Sequence, residues 1–130
     1  MWEKFVFISP GATLTSALDL PLATVLAQPE ARTLLDGLLS EVQQLAAALG
    51  VVLPADAAAR TLARMAAMPA GTTSSMHSDF LAGKPTELES LTGYVVHRSR
   101  ALGLGCPTYK ALYGQLQRKA ADAASVNQPN

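Results

Sequence analysis

The segment from Pro29 to Leu49 constrains the fold more than any other stretch. Ala31, Leu34, Leu35, Leu38, Leu39, Val42, Leu45, Ala46 and Leu49 recur at steps of three and four residues, which puts them on one stripe of an α-helix. Pro29 suits a first helical turn, and Gly50 suits the residue just past the end. A long helix with a one-sided apolar face needs other elements to cover it. The chain is rich in Ala and Leu and only 5% aromatic, so those elements are expected to be helices and not a sheet.

The rest of the chain fits that expectation. Trp2 to Ile8 is apolar except for Glu3 and Lys4, and a run this short is compatible with strand or helix. Ser9-Pro10-Gly11 is expected to kink or end it. A short helical piece follows over about Thr13 to Leu18, and Pro21 opens another reaching about Ala27. Pro54 starts a helix through about Met68, with Leu62 and Met65 inward, and Met68-Pro69-Ala70-Gly71 stops it. Further helices are predicted over about Thr73 to Ala82 and about Glu87 to Leu102. In the latter, Leu88, Leu91, Val95 and Leu102 face inward. The last helix starts at Pro107, with Tyr109, Leu112, Leu116 and Ala120 on its apolar face. The prediction is an all-α domain over residues 1–124 and a frayed polar tail over 125–130.

Composition removes several function classes. Ten basic and ten acidic residues cancel, leaving no footprint for nucleic acid and no polybasic membrane surface. No segment reaches the ~18 apolar residues of a membrane span. No signal peptide is expected, since Glu3 and Lys4 interrupt the start. The single Cys106 cannot pair within the chain and fits a reducing cytoplasm. His77 and His97 are too isolated to indicate a metal site, so surface or packing roles are expected for both. There is no Gly-x-Gly-x-x-Gly after a strand, so a Rossmann cofactor site cannot be built by the usual route.

Chemistry concentrates between Thr72 and Val96. Gly83 can end a helix, Pro85 holds Lys84 extended, and Thr86 with Glu89 has the spacing of a capping box. That gives Glu89 a structural task and leaves Glu87 without one. On spacing alone Glu87 is a solvated first-turn acid, and Ser74 and Ser75 are helix-start residues. Lys4 is a surface lysine whose stem lies along aromatic neighbours.

Thr-Ser-Ser-Met-x-x-Asp, then Ala-Gly-x-Pro-Thr-Glu-Leu-Glu, then Gly-x-x-x-Pro-Thr-Tyr with a later Leu-Tyr, resembles the C-terminal domain of ketopantoate reductase (2-dehydropantoate 2-reductase). Trp2-Glu3-Lys4-Phe5 joins the resemblance at the start, and only the tail beyond about Arg118 falls outside it. The resemblance implies that Trp2 to Ile8 is helical. It also implies an all-helical domain similar to that of 6-phosphogluconate dehydrogenase, which closes over substrate beside an N-terminal Rossmann domain that holds NADPH. That Rossmann domain is not in these 130 residues, so the chain alone is expected to be inactive and to bind no cofactor.

By the same resemblance, Lys4 is the catalytic lysine that protonates the ketone oxygen. Ser75 and Glu87 are substrate-binding, and the substrate is a small 2-keto acid of pantothenate biosynthesis. A homodimer is expected, because a face left uncovered by the partner domain favours self-association. Ile8, Ala12 and Thr72 stand where the family often has Asn. Losing amide groups there weakens recognition of a polar hydroxy acid, which points to a different acid or to a diverged relative. Two alternatives stay open: a non-catalytic helical interaction module derived from the family, and an acid-binding domain without turnover.

Overall fold

Buried residues on every side mark the helix around which the chain folds. A computed structural model describes residues 1–126, with side chains through Ala124. Helix α1 (Trp2–Leu18) buries every residue from Ser9 to Ala17 and packs against nearly all other elements. Those are α2 (Leu22–Ala27), α3 (Pro29–Ala48), α4 (Ala57–Ala66), α5 (Ser75–Leu81) and α7 (Pro107–Val126), together with a π turn (Glu89–Gly93) that runs into α6 (Tyr94–Ala101). No strand occurs among the described residues. The predicted all-α class is therefore what the chain adopts.

The expected break at Ser9-Pro10-Gly11 does not occur. Pro10 lies inside one continuous helix. An interior proline costs about 3 kcal/mol through a lost hydrogen bond and a ring clash. Packing on all faces of α1 outweighs that cost. Ser9, Gly11, Ala12, Thr13 and Ser16 are small enough to admit neighbours closely, and none of them sets up an apolar stripe. α3 keeps the predicted stripe and bounds, and Gly50 takes φ +78° after it.

Other expectations shift. α4 begins at Ala57 and not at Pro54, whose carbonyl instead accepts from Ala57 N–H in the preceding turn. α5 is shorter than predicted at both ends. Leu102 is 43% exposed rather than inward, because the chain turns at Gly103 (φ +70°) and Leu104 packs on the core instead. The helix expected from Glu87 contains the π turn, in which Tyr94 N–H donates to the carbonyl of Glu89. The polar tail expected over 125–130 lies outside the described residues from residue 127 onward.

The start of α7 is fixed by a side chain from another helix. Pro107 at the first position has no N–H to satisfy. The next two amides, of Thr108 and Tyr109, donate to the two carboxylate oxygens of Glu41 at 3.1 and 2.9 Å. Glu41 is buried on α3. Its charge faces the positive end of the α7 dipole, and it satisfies amides that would otherwise be orphaned. Gly37, one turn earlier on α3, lets α7 come this near: a Cβ there would lie 2.6 Å from the Thr108 hydroxyl. Tyr109 then carries the link inward. Its ring is fully buried, its hydroxyl lies 2.8 Å from Ser9 Oγ, and Ser9 donates to the carbonyl of Leu91 in the π turn. Burial pushes the Tyr109 phenol far above its ordinary pKa, so it stays a donor.

Glu41→Ala should lower folding stability by about 1.5–3 kcal/mol, the scale of hydrogen bonds to a charged group. Glu41→Gln keeps one acceptor oxygen and should recover part of that loss. Urea denaturation of the three proteins at neutral pH measures both effects.

Candidate functional site

The cleft that collects the hydroxyl-rich segment is assembled from several stretches of chain. It has a volume of about 310 Å³ and lies between α1, α4, the loop leading into α5, and the entry to the π turn. Thr72 to Ser75 and Glu87 supply its polar lining; Phe7, Ile8, Ala12, Met65 and Met68 supply apolar surface from α1 and from α4 and the turn after it. Ser75 and Glu87, both singled out from the sequence, line it together with Ile8, Ala12 and Thr72. Lys4 does not. It lies on the first turn of α1, exposed, and lines an adjoining cavity of about 510 Å³ with Glu3, Arg60 and Arg64. Phe7 lines both spaces. Ile8 and Ala12 follow Lys4 by one and two turns of the same helix.

The two adjacent serines have different surroundings. Ser74 is the N-cap of α5 and accepts from His77 N–H at 3.0 Å. Its hydroxyl also meets Thr15 Oγ1 at 2.7 Å. Thr15 gives its own proton to the carbonyl of Gly11, so Ser74 is the donor in that contact. Ser75, one residue on, is exposed and makes no side-chain hydrogen bond among the described residues. The sequence could not separate the pair, since either serine can start a helix.

Below this loop lies a brace that sequence reasoning missed. His77 is buried, with Nδ1 2.6 Å from Thr73 Oγ1 and Nε2 3.1 Å from Asp19 Oδ1. The carboxylate can only accept, so Nε2 carries a proton and donates to Asp19, while Nδ1 shares a hydrogen bond with the Thr73 hydroxyl. Asp19 holds the left-handed position after α1, at φ 55°. It also accepts from Lys119 Nζ at 2.7 Å, and that bond holds the Asp19 carboxyl below its ordinary pKa of 3.8. The carbonyl of Thr72 accepts from Leu22 N–H at 2.9 Å. Loop 72–75 is thereby tied to α1, α2 and α7. His77 is a packing residue, as expected for an isolated histidine. The His77–Asp19 contact spans 58 positions, and no local pattern announces it.

The expected capping box is not formed. Thr86 Oγ1 accepts from Leu88 N–H at 3.3 Å, and the Glu89 carboxylate turns to α7, where Tyr113 OH donates to it. The helix begins at Leu88, so Thr86 lies too early to be its N-cap, and Gly93 makes room for the Glu89–Tyr113 contact: a Cβ there would lie 3.2 Å from the Tyr113 ring. Burial and the Glu89 carboxylate push the Tyr113 phenol up to about 12. Since Tyr113 spends its proton on Glu89, His97 Nε2, at 3.3 Å, donates to the phenol oxygen. Glu87 has no hydrogen bond to its carboxylate among the described residues and is the only charged residue lining the cleft. The adjoining cavity is basic: Arg64 stacks over the Phe7 ring at 4.3 Å, and Arg60 pairs with Asp56 at 3.1 Å. No group of His, Cys, Asp and Glu that could hold a metal ion occurs among the described residues.

Residues 1–120 match the family model described as ketopantoate reductase PanE/ApbA C terminal. The chain belongs to this family. Among ketopantoate reductase relatives, the 2-dehydropantoate 2-reductase of Pyrobaculum aerophilum is 31% identical over 118 residues, covering 91% of this chain and 42% of the relative. The structure of a PanE/ApbA family ketopantoate reductase from Ralstonia eutropha superposes with a TM-score of 0.87 at 25% identity, covering 95% of this chain and 41% of that one. A dimeric ketopantoate reductase from Staphylococcus aureus shares the fold, with a TM-score of 0.86 at 22% identity over 94% of this chain and 43% of that one. The chain spans about two fifths of the length of the curated relatives it matches. No described helix is long and apolar enough to cross a membrane.

Asp19→Asn tests the brace. A carboxyl whose folded pKa is lowered stabilises the fold above its unfolded value of about 3.8, and the contribution disappears as pH falls through the lowered value. The stability gap between wild type and Asp19→Asn should therefore be constant from pH 7 to 5 and close below pH 4. Since Asp19 is half exposed, solvent screening keeps the gap small. Urea midpoints across that range are the measurement.

Proposed function

We propose that this chain is the substrate-side domain of an NADPH-dependent reductase that converts a small 2-keto acid, 2-dehydropantoate or a similar one, to the 2-hydroxy acid. The observation that carries the reading is that Ser75 and Glu87, both without internal partners, line one cleft beside the α1 face that begins at Lys4. In this reading Ser75 donates to the bound acid. Glu87 accepts from the product hydroxyl formed at C2, and its negative charge turns the substrate carboxylate towards Ser75. Lys4 holds the proton delivered to the ketone oxygen. Its ammonium lies in the basic adjoining cavity with Arg60 and Arg64, which favours an anionic substrate at the mouth.

The residues of this chain do not fit the dinucleotide on their own. The glycine-rich turn between a strand and a helix that seats a pyrophosphate has no counterpart among the described residues. The cofactor belongs, in this reading, to an N-terminal Rossmann domain that meets the face carrying Lys4. The setting is the reducing cytoplasm, in keeping with the single buried thiol of Cys106.

We also propose a two-fold homodimer. Trp2, Phe5 and Tyr94 form an aromatic cluster at the surface, with Trp2–Phe5 and Phe5–Tyr94 ring centroids 5.3 and 5.8 Å apart. Such a cluster gains by being covered, and the similar Staphylococcus aureus enzyme is dimeric. Light scattering of the purified chain should give twice its 13.6 kDa mass; a monomer at high concentration overturns this part.

The chain alone should not oxidise NADPH with 2-dehydropantoate. Joined to a Rossmann domain of the same family in one polypeptide, it should turn over, and Lys4→Ala should lower kcat by roughly 10²–10⁴-fold with little change in melting point. Glu87→Ala should weaken substrate binding by about 1.5–3 kcal/mol and leave stability unchanged. Near-normal kinetics in the Lys4 variant would return that residue to the surface.

A further inference from the structure

Resting on the reading that this cleft receives a 2-keto acid, we propose that the acid it takes has an apolar tail without a hydroxyl group. The cleft has two unlike walls. On the wall from α1 and α4, Phe7, Ile8, Ala12, Met65 and Met68 offer carbon and thioether surface and no side-chain donor. On the other wall, the hydroxyls of Thr73 and Ser74 are already engaged with His77 and Thr15. Only Thr72, Ser75 and Glu87 remain there to meet a ligand's polar groups.

A 2-keto acid has a polar head and one tail. With the head on the polar wall, the tail lies against α1 and α4. A hydroxyl on that tail leaves water without finding a partner, which costs more than a methyl in the same place gains. Each buried methylene there strengthens binding severalfold. Methionine side chains have three rotatable bonds and a polarisable sulfur, so this wall can follow branched or aryl tails.

The methionines also supply the probe. Of four in the chain, Met65, Met68 and Met76 line the cleft and Met1 does not. The 130-residue protein, labelled with ¹³C at the methionine methyls, is titrated by NMR with three acids. These are 3,3-dimethyl-2-oxobutanoate, 4-methyl-2-oxopentanoate and 2-dehydropantoate, the last being the first with one hydroxyl added. The expected result is movement of the three cleft methyls and not of Met1, with the two unhydroxylated acids binding about tenfold or more tighter than 2-dehydropantoate. Equal or tighter binding of 2-dehydropantoate, with the cleft methyls still moving, overturns the preference and leaves the keto-acid cleft standing. No movement of the cleft methyls with any of the acids overturns both.

Met68→Gln places an amide on the apolar wall from outside any helix and should narrow the preference at least threefold. Ile8→Asn should do the same from α1, with circular dichroism reporting that each variant is folded. An unchanged preference in both folded variants overturns the assignment of that wall to the tail.

Discussion

A carboxylate from one helix closing the first turn of another is the interaction on which the rest depends. Glu41 satisfies the two amides that follow Pro107 in the first turn of α7. With that end fixed, Tyr109 reaches Ser9 in the middle of α1, and Ser9 reaches the carbonyl of Leu91. Further along the same helix, Lys119 reaches Asp19, and through it His77 and loop 72–75. Both polar contributors to the cleft, the loop and the entry to the π turn, are thus positioned from α7. Glu41, Tyr109, Ser9, Lys119, Asp19 and His77, which transmit this, do not themselves line the cleft.

The parts of the fold that were legible in the sequence are those with one buried face. α3 shows it by its apolar repeat, and α7 by Pro107 and the repeat that follows. α1 was cut in two at Pro10 because the sequence rule weighs the lost hydrogen bond, while the structure surrounds that turn with other helices. A helix buried on all sides has no stripe to read. Glu41 did leave a signal: it interrupts the apolar stripe between Leu38 and Val42, at a position facing the core. A charge on such a face needs a buried partner. The sequence shows the need but not that the partner is the amide end of a helix 67 residues away.

The candidate site was legible as a set of residues more than as a geometry. Ser75 and Glu87 meet in one cleft, while Lys4, one turn before Ile8 on α1, lines a second, basic space. Thr86 and Glu89 have the spacing of a capping box, but the helix begins at Leu88, too late for Thr86 to cap it. Glu89 then serves α7 through Tyr113. Arg64 carried no sequence signal, since its place over Phe7 comes from the crossing of α4 and α1.

The π turn has a consequence for helical phase. It holds one residue more than an α-helical turn would, and each residue of an α-helix advances the chain by about 100°. Without the extra residue, α6 and its contacts with α3 and α7 could persist, but the chain leading in through Glu87 and Leu88 would be rotated by that angle. Leu88, now buried, would swing off the core, and Glu87 would leave the cleft. The wide turn therefore works as a register spacer: it lets one continuous helix keep the phase of the core on its C-terminal side and the phase of the cleft on its N-terminal side.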